Sequence, residues 1–417
     1  MSHVFFVATI GGSPEPLIKS LQFWSPEKIC FIASEETRKD TLDVITQYNQ
    51  SSPKPISEGA WDCVIVPDHQ LLQPIIKTIR PLSRRIREWK ERGENFKVVA
   101  DFTGGTKCMS AGLALVARRW PTEFSYVGGT KRNKDDRGAV LSGSEVISPC
   151  MNPWEALGFQ AAEDAVTAFN HGSYPAAAEQ LAASMRSMEA GSDKRALAAL
   201  SETIKAYAEW DRFQHKKAAE HFLTALTARN DLAAVFTDPA DLIREMEKHQ
   251  DLCTTLTVRN RMSWLLVDDL IANATRRARD QRFDDAVARL YRACESIAQV
   301  QLHERWQIED TGRIPLEKLP PSLQSAWNPR ARNGCVQIGL QDAFRLLASL
   351  GDELGTRFIE QKLTGQNSCL EERNKSILAH GFDPVSKKGY DQLAKAVHAL
   401  RGIPQPEFGH WLLPPVQ

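Results

Sequence analysis

The sequence predicts an α/β N-terminal domain followed by an all-α C-terminal region, and three observations predict it. Strand and helix patterns alternate through roughly the first 150 residues, as in an open sheet with connecting helices. Glycine-rich turns follow the first and the fourth of the strands. From Pro153 onward the strand signal fades and a 3.6-residue apolar period replaces it.

The strands read as Val4–Thr9, Lys28–Ala33, Asp62–Pro67, Lys97–Asp101, Glu123–Val127 and Ala139–Ile147. The first five are short apolar runs bounded by turn residues, the pattern of strands buried on both faces. Helical periodicity fills Pro14–Trp24, Glu35–Gln50, His69–Arg92 and Thr106–Arg119. In the common order of such sheets strands 1 and 4 are neighbours, and ligands bind in the crevice at their carboxyl ends. The two glycine-rich segments fall at those ends. One contains Thr9, Gly11, Gly12 and Ser13; the other runs from Asp101 through Thr103, Gly104, Gly105 and Thr106 to Lys107. Glycine allows close backbone approach, and the helix that follows presents free N–H groups to an anion. Lys107 lies in a first helical turn, where the dipole disfavours a cation, so an anionic partner is expected there. The same glycines also suit plain strand-to-helix turns. Lys131, Arg132 and Lys134, after strand 5, either reach this crevice or decorate a solvated hairpin tip.

Composition narrows the function classes. Hydrophobic residues are 42% and charged residues 25% of 417, ordinary for a globular chain. Lys plus Arg and Asp plus Glu are equal at 52, so no whole-molecule field draws in nucleic acid, and any such site is local. No apolar run is long enough to cross a bilayer, and the first residues lack a basic signal-peptide region. The 8 cysteines are scattered without a C-x-x-C pair, so no metal site is expected, and reduced thiols in a cytoplasmic protein are. The dinucleotide fingerprint and the P-loop are both missing, which disfavours a nicotinamide-dependent enzyme.

The segments Val7–Leu17 and Asp101–Ser110 resemble the CRISPR-associated Rossmann fold (CARF) domain, the second through its D-x-T-G-G-T-K-x-M pattern. The likeness covers residues 1–150 and implies a Rossmann-like fold. It implies a binding site for cyclic oligoadenylate lying across the two-fold axis of a homodimer. The matching positions are Thr9, Gly11, Gly12, Ser13, Thr103, Gly104, Gly105, Thr106 and Lys107.

In the helical remainder, stretches beginning at Tyr174, Phe213 and Phe283 look alike: an aromatic residue, then alanine and a large apolar residue at helical spacing. They suit helix hairpins packed at alanines, with spacing too irregular for a repeat array. A boundary is expected near Cys253–Met262, dividing a helical linker at 151–260 from an effector region at 261–417. There Ser263–Asp280 and Phe283–His303 read as long amphipathic helices, and the proline-rich Gly312–Cys335 as a loop able to cap a site.

The segment Ser368–Gly381 reads as one helix, with Ser368 and Glu371 as a capping box and Gly381 just past its end. Seven residues apart, Arg373 and His380 then share a face with Leu370 and Ile377. The R-N-x5-H pattern resembles the HEPN domains, helical ribonucleases of prokaryotic defence. Arg244 and His249 fit the looser spacing too, but on divergent helix faces and without the asparagine. The resemblance implies a metal-independent endoribonuclease acting on single-stranded RNA, with two copies of the motif paired in a dimer. RNA supplies its own 2′-hydroxyl as nucleophile. Histidine moves protons near neutral pH, arginine holds the phosphate in a bidentate grip, and Asn374 orients one or the other. Two alternatives stay open: a cyclic-oligoadenylate sensor whose helices bind a partner, and an enzyme in which Thr9, Ser13, Thr103 and Lys107 cleave the ring itself.

Overall fold

The computed structural model describes residues 3–91, 96–120, 122–129, 144–153, 157–258, 262–361, 369–402 and 411–416. Two compact units divide the chain: residues 1–163 with 183–195, and residues 164–182 with 196–417.

The first unit is built on β1 (His3–Thr9), α1 (Glu15–Trp24), β2 (Lys28–Ser34), α2 (Asp40–Ser51), β3 (Trp61–Val66), α3 (Leu72–Ile79), α4 (Pro81–Glu91), β4 (Phe96–Asp101), α5 (Lys107–Ala117), β5 (Thr122–Gly129) and β6 (Glu145–Met151). The sheet order is β3-β2-β1-β4-β5-β6. β1 to β5 run parallel and β6 runs antiparallel to β5. Strands 1 and 4 are therefore neighbours, with Val7 opposite Ala100 and Ala8 opposite Asp101. The two-residue side-chain period feeds two cores. Phe5, Val7, Ile32 and Ala100 pack under α3, α4 and α5, while Phe6, Ala8, Phe31 and Val99 pack under α1 and α2. Helices on both faces are what make these strands continuously apolar.

Three elements differ from expectation. Residues 35–39 are turns rather than helix, because the Ser34 and Thr37 hydroxyls bond each other and each other's backbone N–H, at 3.1–3.3 Å. The helix expected over 69–92 breaks into α3 and α4 at Pro81, which has no N–H to continue the ladder. The last strand runs Glu145–Met151, later than expected. Lys131, Arg132 and Lys134 lie outside the described residues.

The helices that follow are α6 (Phe159–Asn170), α7 (Tyr174–Ser187), α8 (Ser192–Asp211), α9 (His215–Thr227), α10 (Arg229–Ala233), α11 (Ala240–Val258), α12 (Trp264–Arg279) and α13 (Phe283–Trp306). The helix hairpins are real, but their register is not the expected one. Gly172, Phe213 and Gln281 each adopt positive φ after the first helix of a pair. Each forms the same double cap, as in Gly172 N–H to Phe169 O and Ser173 N–H to Ala168 O. Phe213 thus corresponds to Gly172, and His215 is the partner of Tyr174 and Phe283. From there the match is regular: Ala177, Ala218 and Ala286, then Leu181, Phe222 and Leu290, all buried.

The chain continues through β7 (Ile314–Pro315), α14 (Pro321–Trp327), β8 (Cys335–Val336), α15 (Leu340–Ser349), α16 (Glu353–Glu360), α17 (Cys369–Lys375) and α18 (Lys387–Arg401). Helix α13 is the hub of this region, and its Val287, Leu290, Cys294, Ile297 and Val300 join one large core. The proline-rich segment is not a free loop. Ile314 on β7 and Val336 on β8 lie opposite each other and are buried in that core, as are Leu319 and the α14 residues Leu323 and Trp327. Among the described residues no helix is long and apolar enough to cross a membrane.

Candidate functional site

The first candidate site is the crevice at the ends of β1 and β4. The two glycine loops lie directly against each other. A Cβ added at Gly104 would sit 2.5 Å from the Thr9 carbonyl oxygen and 2.8 Å from the Gly11 nitrogen. One added at Gly11 would sit 2.8 Å from the Gly105 nitrogen. Gly105 also adopts φ +79°, where a side chain strains the backbone. These three glycines are required by the fold of the crevice itself. Gly12 is different: it is exposed and a Cβ there meets nothing within 4 Å.

The hydroxyl groups divide in the same way. Thr9 is fully buried and donates to the Gly104 carbonyl at 2.6 Å, so it staples the loops together. Thr103 accepts from the Val127 N–H at 2.9 Å, joining the loop to β5. Thr106 caps α5 by accepting from Met109 N–H, and its hydroxyl donates to the His69 carbonyl. Beneath the loop, buried Asp101 accepts from Ser20 Oγ at 2.5 Å and from Thr103 N–H at 2.9 Å. Burial raises its pKa, and those hydrogen bonds pull it back down. Ser13 and Lys107 stay exposed at the crevice, with Lys107 the first residue of α5. The sequence-predicted set is thus brought together, with a supporting group (Thr9, Gly11, Thr103, Gly104, Gly105, Thr106) and an open group (Gly12, Ser13, Lys107).

The second candidate site surrounds the end of α17. The helix expected over 368–381 stops at Lys375. Ser368 lies outside the described residues. Ser376 instead pairs with Asp383, and Asp383 N–H donates to the Lys375 carbonyl at 3.0 Å. Gly381 packs so tightly that a Cβ would lie 2.0 Å from that carbonyl oxygen. Leu370 is buried, but Ile377 is 65% exposed, so the shared helical face does not exist.

The turn nevertheless reunites the motif through Asn374. The Arg373 guanidinium donates to Asn374 Oδ1 at 3.1 Å, and His380 N–H donates to the Asn374 carbonyl at 3.2 Å. The His380 imidazole is exposed. Downstream, Glu372 accepts from both the backbone N–H and the hydroxyl of Ser386 at 2.8 Å. The turn carrying His380 is therefore clamped at both ends. Arg373 also has a partner that sequence reading missed: its guanidinium carbon lies 4.0 Å over the ring of Tyr291 on α13. Its Nε is buried with no hydrogen-bond partner, so the ring face is what supports that edge. Tyr291 is 82 residues away in the chain, and no local sequence signal ties it to this segment.

The competing pair separates as expected. Arg244 is exposed and ion-paired with Asp241 on its own helix. His249 is buried and bonded to the Tyr207 hydroxyl at 3.0 Å. Burial lowers its pKa to about 4. Among the described residues no group of three or more His, Cys, Asp or Glu side chains could hold a metal ion.

A Rossmann-type crevice in one unit and an R-N-x5-H turn on a helical bundle in the other fit a CRISPR-associated protein with a CARF-like domain and a HEPN-like domain. The family model of the Csm6 6H domain matches residues 157–250, and that of the Csm6 HEPN domain matches residues 254–403. The chain belongs to the Csm6 family of CRISPR-associated proteins. It is 24% identical over 416 residues to the CRISPR system endoribonuclease Csm6 of Thermus thermophilus, covering 94% of this chain and 84% of that one. Its fold is similar to that of Enterococcus italicus Csm6 bound to cyclic hexa-2′-fluoro-hexa-dAMP. The TM-score is 0.56 with 12% identity, over 96% of this chain and 93% of that one.

Proposed function

We propose that this chain is a metal-independent endoribonuclease of type III CRISPR antiviral defence, switched on by cyclic oligoadenylate. One observation carries the reading: Asn374 holds Arg373 through its side chain and His380 through its backbone, inside the segment matched by the HEPN model. The names of the two relatives, an endoribonuclease and a protein bound to a cyclic oligoadenylate analogue, support it.

In this reading His380 takes the proton of the RNA 2′-hydroxyl. The oxygen attacks phosphorus, the P–O5′ bond breaks, and the leaving oxygen takes up a proton. The products are a 2′,3′-cyclic phosphate and a 5′-hydroxyl. Arg373 stabilises the phosphorane charge, and Asn374 positions both partners. The 1–150 region senses the ring through the crevice from Thr9 to Ser13 and from Thr103 to Lys107. The 151–260 region relays the state to the effector at 261–417. The protein works in the cytoplasm as a homodimer. Exposed Ile377 (65%), Leu378 (51%) and Phe382 (91%), flanking His380, support a two-fold contact that pairs two turns.

The test is degradation of single-stranded RNA in EDTA, with and without cyclic tetra- and hexa-adenylate. His380→Ala is expected to slow cleavage ~10²- to 10⁴-fold, and Arg373→Ala comparably. Arg244→Ala is expected to cut like the parent. Loss of cleavage in Arg244→Ala with retention in the other two would refute the assignment. Consumption of the ring with intact RNA would favour the ring-cleaving alternative.

A further inference from the structure

The first unit carries a second basic feature, away from the glycine loops. A groove of about 710 Å³ lies between α4 and the carboxyl end of α5, lined by Arg80, Arg84, Arg87, Arg118 and Arg119. No carboxylate stands among its described lining residues. This is notable in a chain whose net charge is zero. The two walls are joined beneath the arginines. Buried Trp120 donates its ring N–H to Ser83 Oγ at 2.7 Å, and Asn152 donates to the Arg118 and Trp120 carbonyls at 2.8 and 3.1 Å. The groove is thus a fixed shape rather than a gap between loose side chains.

Local structure explains only part of the charge. Arg80, Arg118 and Arg119 sit at the carboxyl ends of α3 and α5, where the helix dipole favours cations. Arg84 and Arg87 lie inside α4, four and seven residues after Arg80, and gain nothing from a carboxyl end. Arg84 pairs with Glu88 at 2.8 Å. Like charges three and four residues apart on the helical wall repel, and Glu88 offsets part of that repulsion at Arg84.

We propose that this groove binds the sugar-phosphate backbone of single-stranded RNA. Arg80 to Arg87 spans about 10 Å along the helical wall, with two more guanidinium groups opposite. One phosphate cannot meet charges spread that far, whereas successive phosphates of a strand can. Arginine's planar fork suits each of them. Helix α5 separates the groove from the crevice: Lys107 begins it and Arg118 follows its end, about 16 Å apart. The choice of RNA over other extended polyanions rests on the ribonuclease reading above. The groove itself rests on its own geometry.

The test uses full-length His380→Ala protein, to prevent cleavage, and a labelled uridine 20-mer followed by fluorescence anisotropy across a salt series. Adding Arg84→Ala and Arg87→Ala is expected to weaken binding by ~10-fold or more at low salt. The slope of log K against log salt should flatten by about 1.4, from two lost phosphate contacts. Binding of cyclic oligoadenylate is expected to stay as in the parent. Unchanged RNA affinity and slope would overturn the proposal. Competition by polyglutamate as strong as by RNA would overturn the choice of RNA. Equal loss of ring binding would show the groove to be part of the sensor. Parent protein with an intact His380 that binds RNA through the groove yet never cuts it would sink the nuclease reading alone.

Discussion

Replacing Tyr291 with leucine tests whether the support under Arg373 matters for the reaction. The guanidinium carbon lies 4.0 Å above the ring and its Nε has no hydrogen-bond partner. A cation over an aromatic face is worth about 0.5–1 kcal/mol when exposed and about 2 when desolvated. Both residues are half-buried, which places this pair near 1 kcal/mol. Loss of that orientation in the transition state alone slows the chemical step about fivefold. Leucine keeps most of the apolar volume that α13 presents toward Arg373, so melting temperature should move little. Single-turnover RNA cleavage should show kcat down and KM near the parent value, the sign of an interaction made in the transition state. The pH–rate profile should keep its shape, since His380 is untouched. Tyr291→Phe keeps the ring face and should stay within about twofold of the parent. Parent-like kcat in Tyr291→Leu, or an equal loss in Tyr291→Phe, would refute the stacking argument.

Four further outcomes are expected. Gly104→Ala forces a Cβ to within 2.5 Å of the Thr9 oxygen, so the loops must part; it should destabilise the chain by about 1–3 kcal/mol in thermal unfolding and weaken ring binding. Gly12→Ala, with open space around it, should leave the melting temperature unchanged. Lys107→Ala removes an exposed first-turn cation that the helix does not need; calorimetry should find weaker cyclic oligoadenylate binding at unchanged stability, and affinity unchanged from the parent for every ring size would oppose the crevice assignment. His249 has a folded pKa of about 4, below the ordinary 6.5, so the unfolded chain takes up its proton first as pH falls. Its contribution, on the order of 2–3 kcal/mol, is complete above the ordinary value and is lost between there and about 4. The melting temperature of His249→Gln should fall less steeply than that of the parent from pH 7 to 4.5.

The sheet was legible because its signals are local. Five apolar runs between turn residues become β1 to β5, and the positions of Thr9 and Asp101 at strand ends follow from run length alone. The glycine loops were legible as a pair because β1 and β4 adjoin in this common topology. What the residues do within the loops was not. Thr9 and Ser13 look alike in sequence, yet Thr9 is spent on the Gly104 carbonyl and Ser13 is exposed.

The helical half shows the limit more sharply. Periodicity placed α12 and α13 to within a few residues, since a buried stripe repeats every turn. It could not locate the cap at Phe213, because a non-glycine residue in the left-handed region carries no sequence mark. Nor could it end α17 at Lys375. The apolar pattern runs on through Ile377 and Leu378, so helix was the local optimum. Long-range contacts overrode it: Asp383 returns to the Lys375 carbonyl, Gly381 fits against it without a Cβ, and Glu372 binds Ser386. By itself the sequence marked Arg373, Asn374 and His380 as the candidates for the proposed chemistry. The tertiary structure decided that they meet across a turn rather than along a helix face. Backbone pairing with a segment eight residues away displaced the next helical turn.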